Sequence, residues 1–227
     1  MHIEPGVVDG AKILLSYATA AVGFGLTAKM AAGDIRRDGG AAILALRSLA
    51  TTALVFCFFE VLPHHPVGVS EVHLILGSTL LLLFGSGAAA IGLAAGLLIQ
   101  GLFFAPFDLP QYGMNVTTLL VPLWGIHLLA RKIVAKDTPY VELTYSQALA
   151  LSTAYQGGIV AWVAFWALYG HGFTVANLAS IGTFGIAYMS VILLEPLIDL
   201  AVLAAAKALR RLSRSSLFSA RLHSALV

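Results

Sequence analysis

Residues 72–104 restrict the fold more than any other part of the chain. These 33 positions hold no Asp, Glu, Lys or Arg, and His73, near their start, is their one ionisable side chain. As a single helix the stretch would run about 50 Å, at roughly 1.5 Å per residue. That is too long for one ordinary crossing of a hydrocarbon core about 30 Å thick. Phe84-Gly85-Ser86-Gly87 interrupts it, and Gly and Ser in this order punctuate helices and form tight turns. The stretch is therefore expected to divide into two helices, the first of them short.

Five other apolar segments are each long enough to cross: roughly 11–31, 41–62, 115–134, 146–169 and 178–206. The whole chain is 59% hydrophobic and 11% charged, where a soluble domain carries about 25% charged residues. Too little polar surface remains to face water all round. The sequence reads as an all-α membrane protein, a bundle of about seven transmembrane helices.

Loop charges test the count. With seven crossings, Lys29, Arg36, Arg37, Arg131, Lys132, Lys136, Lys207, Arg210, Arg211, Arg214 and Arg221 fall on one side. The other side receives the N-terminus, 63–71, 105–114 and 170–177, with Lys12 as its sole basic residue. Counting 72–104 as one crossing would invert the later loops and destroy this segregation. The positive-inside rule then puts the N-terminus outside and the C-terminus in the cytoplasm. Residues 1–206 form the membrane-embedded domain, and 207–227 a basic, partly amphipathic tail suited to anionic headgroups or a cytoplasmic partner. No secretion signal precedes MHIEPG, so these six residues read as part of the mature protein.

Motifs for catalysis are missing. The chain holds no P-loop, HExxH, CxxC or Gly-rich dinucleotide turn. It is read as a non-enzyme with no catalytic cofactor and no nucleic-acid partner. Cys57, its one cysteine, can make no internal disulfide. Ionisable residues gather toward the outer face instead: His2, Glu4, Asp9, Glu60, His64, His65, Glu71, His73, Asp108 and His171. An imidazole at the membrane boundary is costly unless paired or functional. For His73 either fits: a hydrogen bond near Glu71 or Asn115, or a ligand role. His2 adds a specific chemistry. A free α-amine at Met1, the His2 amide and the His2 ring can chelate one metal through adjoining rings, and a further imidazole would complete four nitrogens. Such sets suit Ni²⁺, Cu²⁺ and, less typically, Co²⁺.

MHIEPG, EVHLILGSTLLLLFG, AAGLLIQGLFF and YGMNVTTL together resemble the CbiM/NikM family, over roughly residues 1–206. Members are the membrane-embedded, metal-capturing S components of energy-coupling-factor cobalt and nickel importers. The resemblance implies an N-terminus folded back into the bundle. It implies metal ligands at Met1, His2 and His73, with Gln100, Gly113 and Asn115 lining the site. Co²⁺ or Ni²⁺ would be the transported ion. Partners would be a coupling transmembrane subunit and ATPase subunits, with a small accessory membrane subunit as a further candidate. The location would be the cytoplasmic membrane of a bacterium or archaeon. Glu195, in ILLEPLIDLAVLA, matches a glutamate of the family's last helix. Three departures bear on metal preference: Glu4 precedes Pro5-Gly6, Tyr188 stands where many members carry histidine, and FAPFDLPQYGMN replaces a Gly-rich run.

The remaining signals read as structural. His64 and His65 lie in a Pro-flanked exposed loop, a place where such a pair could also collect metal at the entrance, His171 is a loop residue, and His127 is a packed helix histidine. Glu195 and Asp199, four apart on one face near the inner boundary, have Arg47 as the expected partner. That trio is either an ion pair or a point of coupling to an energising subunit. Gly92 and Gly96, like Gly157 and Gly158, allow close helix approach. Trp124, Trp162 and Trp166 are read as packing or interface residues. The competing function is a membrane redox protein or enzyme with histidine-bound haem or metal. It is weakened because His127 alone lies deep in a predicted span.

Overall fold

The structure, a computed structural model, describes residues 3–37, 40–136 and 138–212. Its helices are α1 (Leu14–Arg37), α2 (Gly40–Phe56), α3 (Gly77–Phe84), α4 (Ser86–Phe103), α5 (Tyr112–Ile133), α6 (Tyr145–His171) and α7 (Val175–Leu212). A π-helical turn, Cys57–Val61, ends α2. Two short strands, β1 (His65–Val67) and β2 (Ser70–Val72), then pair as an antiparallel hairpin.

Six helices are long and apolar enough to cross a membrane, and α3 is not. At about 1.5 Å per residue its eight residues rise only about 12 Å, well short of a hydrocarbon core. The described residues thus form the expected all-α bundle of seven helices, six of them long enough to span and one, the short helix expected before Gly85, approached by extended chain. The expected division does fall at Gly85, whose φ of +95° ends α3 and admits α4. There Asp34, in the last turns of α1, accepts from the Gly87 backbone N–H at 2.6 Å. Extended chain after β2 leads inward from the hairpin end, and α3 completes the way to the far end, where α1 finishes.

Packing follows the small residues. A Cβ on Gly92 would collide with Thr51, and one on Gly96 would meet Val55 Cγ1 at 2.6 Å, so α4 lies directly against α2. Gly158 sits likewise on Pro122, joining α6 to α5. Trp166 is fully buried, and Trp162 donates to Thr117 Oγ1 at 3.1 Å, so both are packing residues as expected. α3 touches α2, α4, α5, α6 and α7, which makes the shortest helix the innermost. Apolar side chains left exposed, among them Val22, Leu46, Leu49, Ile186, Leu193 and Leu197, face outward on α1, α2 and α7, as a lipid-facing surface requires. The basic residues Lys29, Arg36, Arg131, Lys132 and Lys207 lie in the last turns of α1 and α5 and late in α7. α7 continues through Leu212, so residues 207–212 are helix, and the rest of the expected tail lies outside the described residues.

Candidate metal centre

The hairpin end is closed by the chain's own start. Ile3 is fully buried and forms an antiparallel bridge to Ser70, while the Glu4 N–H donates to Val69 O at 3.1 Å. Residues 3–4 thereby extend the hairpin by a short third strand. The Ile3 N–H turns inward and donates to Asn115 Oδ1 at 2.8 Å, a contact 112 residues apart in sequence. Asn115 stands in the first turn of α5, and Gly113 lets that turn approach α1: a Cβ there would meet Ser16 O at 2.9 Å. Beyond Ile3, Val7 and Val8 are buried against the end of α6, where Gly170 has no room for a side chain. His171 Nε2 lies 3.0 Å from Gly6 O and Lys12 Nζ donates to Gly170 O at 2.6 Å. His171, read as a loop residue, is the last residue of α6 and helps hold this strap.

β2 leads straight into His73, which is 1% exposed. Its Nε2 is 2.8 Å from Glu71 Oε2. The ring stacks on His64, with centroids 4.9 Å apart and planes at 16°, and tilts against Phe59 at 5.4 Å. Phe59 belongs to the π-helical turn, and Gln100 Nε2 donates to its carbonyl at 3.3 Å and to Glu60 Oε2 at 3.4 Å. His73, Gln100 and Asn115 thus all connect to the hairpin or to the turn before it. His64 and Phe59 escaped the sequence reading. His64 was placed in an exposed loop, yet Leu62 O holds its Nδ1 at 3.2 Å and the ring folds inward, while His65 on β1 is exposed. No signal marked it in advance, because His64 precedes β1 and its place is set by the turn around it.

Between His73 and α3 the backbone makes a sharp bend. Leu76 has φ +53° and ψ +33°, the left-handed region, and is the one described non-glycine residue with positive φ. For an L side chain that conformation costs about 1–2 kcal/mol. Glu195, fully buried on α7, accepts from the N–H groups of both Ile75 and Leu76, the second at 3.1 Å. It also accepts from Gln156 Nε2, and Gln156 Oε1 in turn accepts from the Tyr188 hydroxyl at 2.7 Å. Tyr188, which departs from the family's histidine, therefore serves this network. Asp199, one turn along α7, accepts from Ser78 Oγ at 2.5 Å and from Thr79 Oγ1. Two carboxylates thus hold the entry to α3 inside the bundle: Glu195 takes two backbone N–H groups of the bend before the helix, and Asp199 takes the hydroxyls of Ser78 and Thr79 in its first turn. Arg47, the expected partner, is half-buried on α2 and is not among the described partners of either acid. Outside the spans, the Tyr140 phenol is pushed up to about 12, first by burial and then by the Asp199 carboxylate.

Met1 and His2 lie outside the described residues. Among the described residues no three His, Cys, Asp or Glu side chains are grouped to hold an ion. A cavity of about 750 Å³ opens at the far end instead, lined by Asp34, Leu82, Ser86, His127, Arg131 and Lys136. His127 there stacks on Trp124 at 5.5 Å, in keeping with a packed histidine.

Apolar spans around a short, polar-anchored helix define a polytopic helical membrane protein. The chain belongs to the CbiM family, the cobalt uptake substrate-specific transmembrane region, whose model matches residues 2–212. It is a membrane component of a metal transport system. A solved structure described as a transition metal transporter superposes with a TM-score of 0.68 at 19% identity, covering 99% of this chain and 100% of that one. A truncated transition metal transporter gives 0.62 at 18% identity, covering 92% and 97%. At these identities the likeness concerns the fold. No curated protein sequence matches the chain.

Proposed function

We propose that this chain captures Co²⁺ or Ni²⁺ at its hairpin end and delivers the ion to an ATP-driven importer. The ligands are the Met1 α-amine, the amide and ring nitrogens of His2, and the ring of His73, with Gln100, Gly113 and Asn115 shaping the pocket. One observation carries the reading. The Ile3 N–H is bound to Asn115 while Ile3 pairs with Ser70. The nitrogen of the His2–Ile3 peptide is therefore already fixed, inside the bundle, beside the strand that leads into His73. Two residues remain to supply the terminal chelate, and no preformed cavity is needed because the chain itself fills the site.

The basic far end faces the cytoplasm on the positive-inside argument, which puts the hairpin end outside in a bacterial or archaeal cytoplasmic membrane. The chain carries no nucleotide motif, so movement of the ion depends on a coupling transmembrane subunit and ATPase subunits, with a small accessory membrane subunit as a further partner. Calorimetric titration of Ni²⁺ and Co²⁺ into the purified protein tests the site. An Ala-Ser extension before Met1 converts the amine to an amide and displaces the chelate, and His73→Ala removes the fourth nitrogen. Each is expected to lower affinity by roughly 100-fold or more, beyond the 10–100-fold that outer-shell changes typically cost. Wild-type affinity in the extended protein would refute the terminal chelate. Wild-type affinity in His73→Ala would remove His73 from the ligand set.

A further inference from the structure

We infer that Glu195 is a positioning residue for His73: its carboxylate sets the bend at Ile75-Leu76 and, through it, the place of the imidazole. The inference rests on the reading of His73 as a metal ligand. His73 leaves β2 only three residues before Leu76, and those residues contain no regular structure to fix them. What fixes them is α7. One carboxylate receives the N–H groups of Ile75 and Leu76, 119–120 residues away in sequence. That pairing suits a left-handed residue, because in such a turn consecutive N–H groups point to one side as an anion-binding concavity. The carboxylate is itself held from behind by Gln156, and Gln156 by Tyr188, so its two oxygens have a set position.

Asp199 adds a second hold through Ser78 and Thr79, on the helix side of the bend. The two acids divide the work. Asp199 anchors α3 as a helix, whereas Glu195 grips the segment that carries His73. A displacement of α7 against α3 would release the bend and withdraw the imidazole. The ligand geometry is thus tied to the helix in which the described chain ends, at Leu212.

The test uses the full chain with its native start in lipid nanodiscs, titrated calorimetrically with Ni²⁺. Glu195→Gln replaces one acceptor oxygen with an amide that opposes a backbone N–H. It is expected to lower affinity about tenfold, the lower end for groups that orient a metal ligand. Adding Leu76→Gly to that variant should restore most of the loss, since glycine adopts positive φ without steric cost. A structural role alone would not be repaired by relaxing one residue of the bend. His73→Ala in the same series separates the two questions. If His73→Ala loses affinity while Glu195→Gln binds as wild type, the positioning role is refuted. A loss in Glu195→Gln that Leu76→Gly leaves unrepaired refutes it too. If His73→Ala binds as wild type, the ligand assignment fails, and the positioning role with it. Should Glu195→Gln not fold, Glu195→Asp keeps both oxygens but withdraws them by one methylene, and the same outcomes apply.

Discussion

α3 and α4 come from one uncharged stretch of sequence, yet they are held in place by opposite means. α4 spans the bundle and is fixed by shape: Gly92 and Gly96 bring its backbone onto Thr51 and Val55 of α2. Its first turn begins at the far end, where Asp34 accepts from Gly87. α3 spans about half that depth, so its first turn begins inside the bundle. Water cannot reach its open N–H groups, and each one left bare in apolar surroundings costs several kcal/mol. Glu195 supplies acceptors for the two N–H groups just before the helix, and Asp199 for the Ser78 and Thr79 hydroxyls of its first turn. A full-length helix can rely on steric fit, whereas a truncated one needs buried polar side chains, and the truncation leaves the space that residues 3–8 and His73 occupy.

Removing the polar hold tests this contrast most severely. Glu195→Leu strands the N–H groups of Ile75 and Leu76 and the amide of Gln156. At about 1–3 kcal/mol for each of the three unsatisfied donors, the loss should reach roughly 3–9 kcal/mol. Unfolding in mixed micelles with rising sodium dodecyl sulfate measures it. A loss under about 1 kcal/mol would mean that α3 draws no support from α7.

The same contrast explains what could be read in advance. The spans, the break at Gly85 and the Gly92/Gly96 contact are local features, written in runs of apolar residues and small-residue spacing. The truncation of α3 is not local. HLILGSTLLLLF holds no acid, lysine or arginine, and nothing in it marks Leu76 as left-handed, because the cause is a carboxylate 119 residues away. Reasoning from the cost of a buried charge led to Arg47 as the partner of Glu195. The described partners of Glu195 are the Gln156 side-chain amide and two backbone N–H groups, which every residue carries and no sequence pattern singles out. At the site, His73 and Asn115 were legible as residues, while the β-bridge that brings Ile3 to them was not. Met1 and His2, outside the described residues, remain part of the proposal.

Steric fit is probed from the α4 side. Gly92→Leu forces a side chain into Thr51 and must part α4 from α2. Overpacking of this kind costs about 1–3 kcal/mol, less than the loss of Glu195. The bend at Leu76 lies on a different contact, so hydrogen exchange of residues 73–79 should stay as slow as in wild type while that of α2 and α4 speeds up. Faster exchange at 73–79 would show that shape and polar anchoring act as one unit, and the two regions would no longer be separable.

The smallest effect isolates the role of the solvent. Thr144 at the start of α6 and Glu195 at the bend before α3 both offer oxygen to backbone N–H groups: Thr144 Oγ1 accepts from Gln147 N at 3.2 Å, and Gln147 Oε1 accepts from Thr144 N at 2.9 Å. This box is exposed, at the far end of the bundle, so water can take over the donors that Thr144→Ala releases. The expected cost is about 1 kcal/mol, the usual value for a lost cap, with Ni²⁺ affinity unchanged. The hydrogen-bonding chemistry is alike in the two places, and the difference in cost measures what burial adds. If Thr144→Ala cost as much as Glu195→Leu, exposure would not be the variable that distinguishes them, and the account of α3 as a helix made dependent on α7 by its buried start would fail.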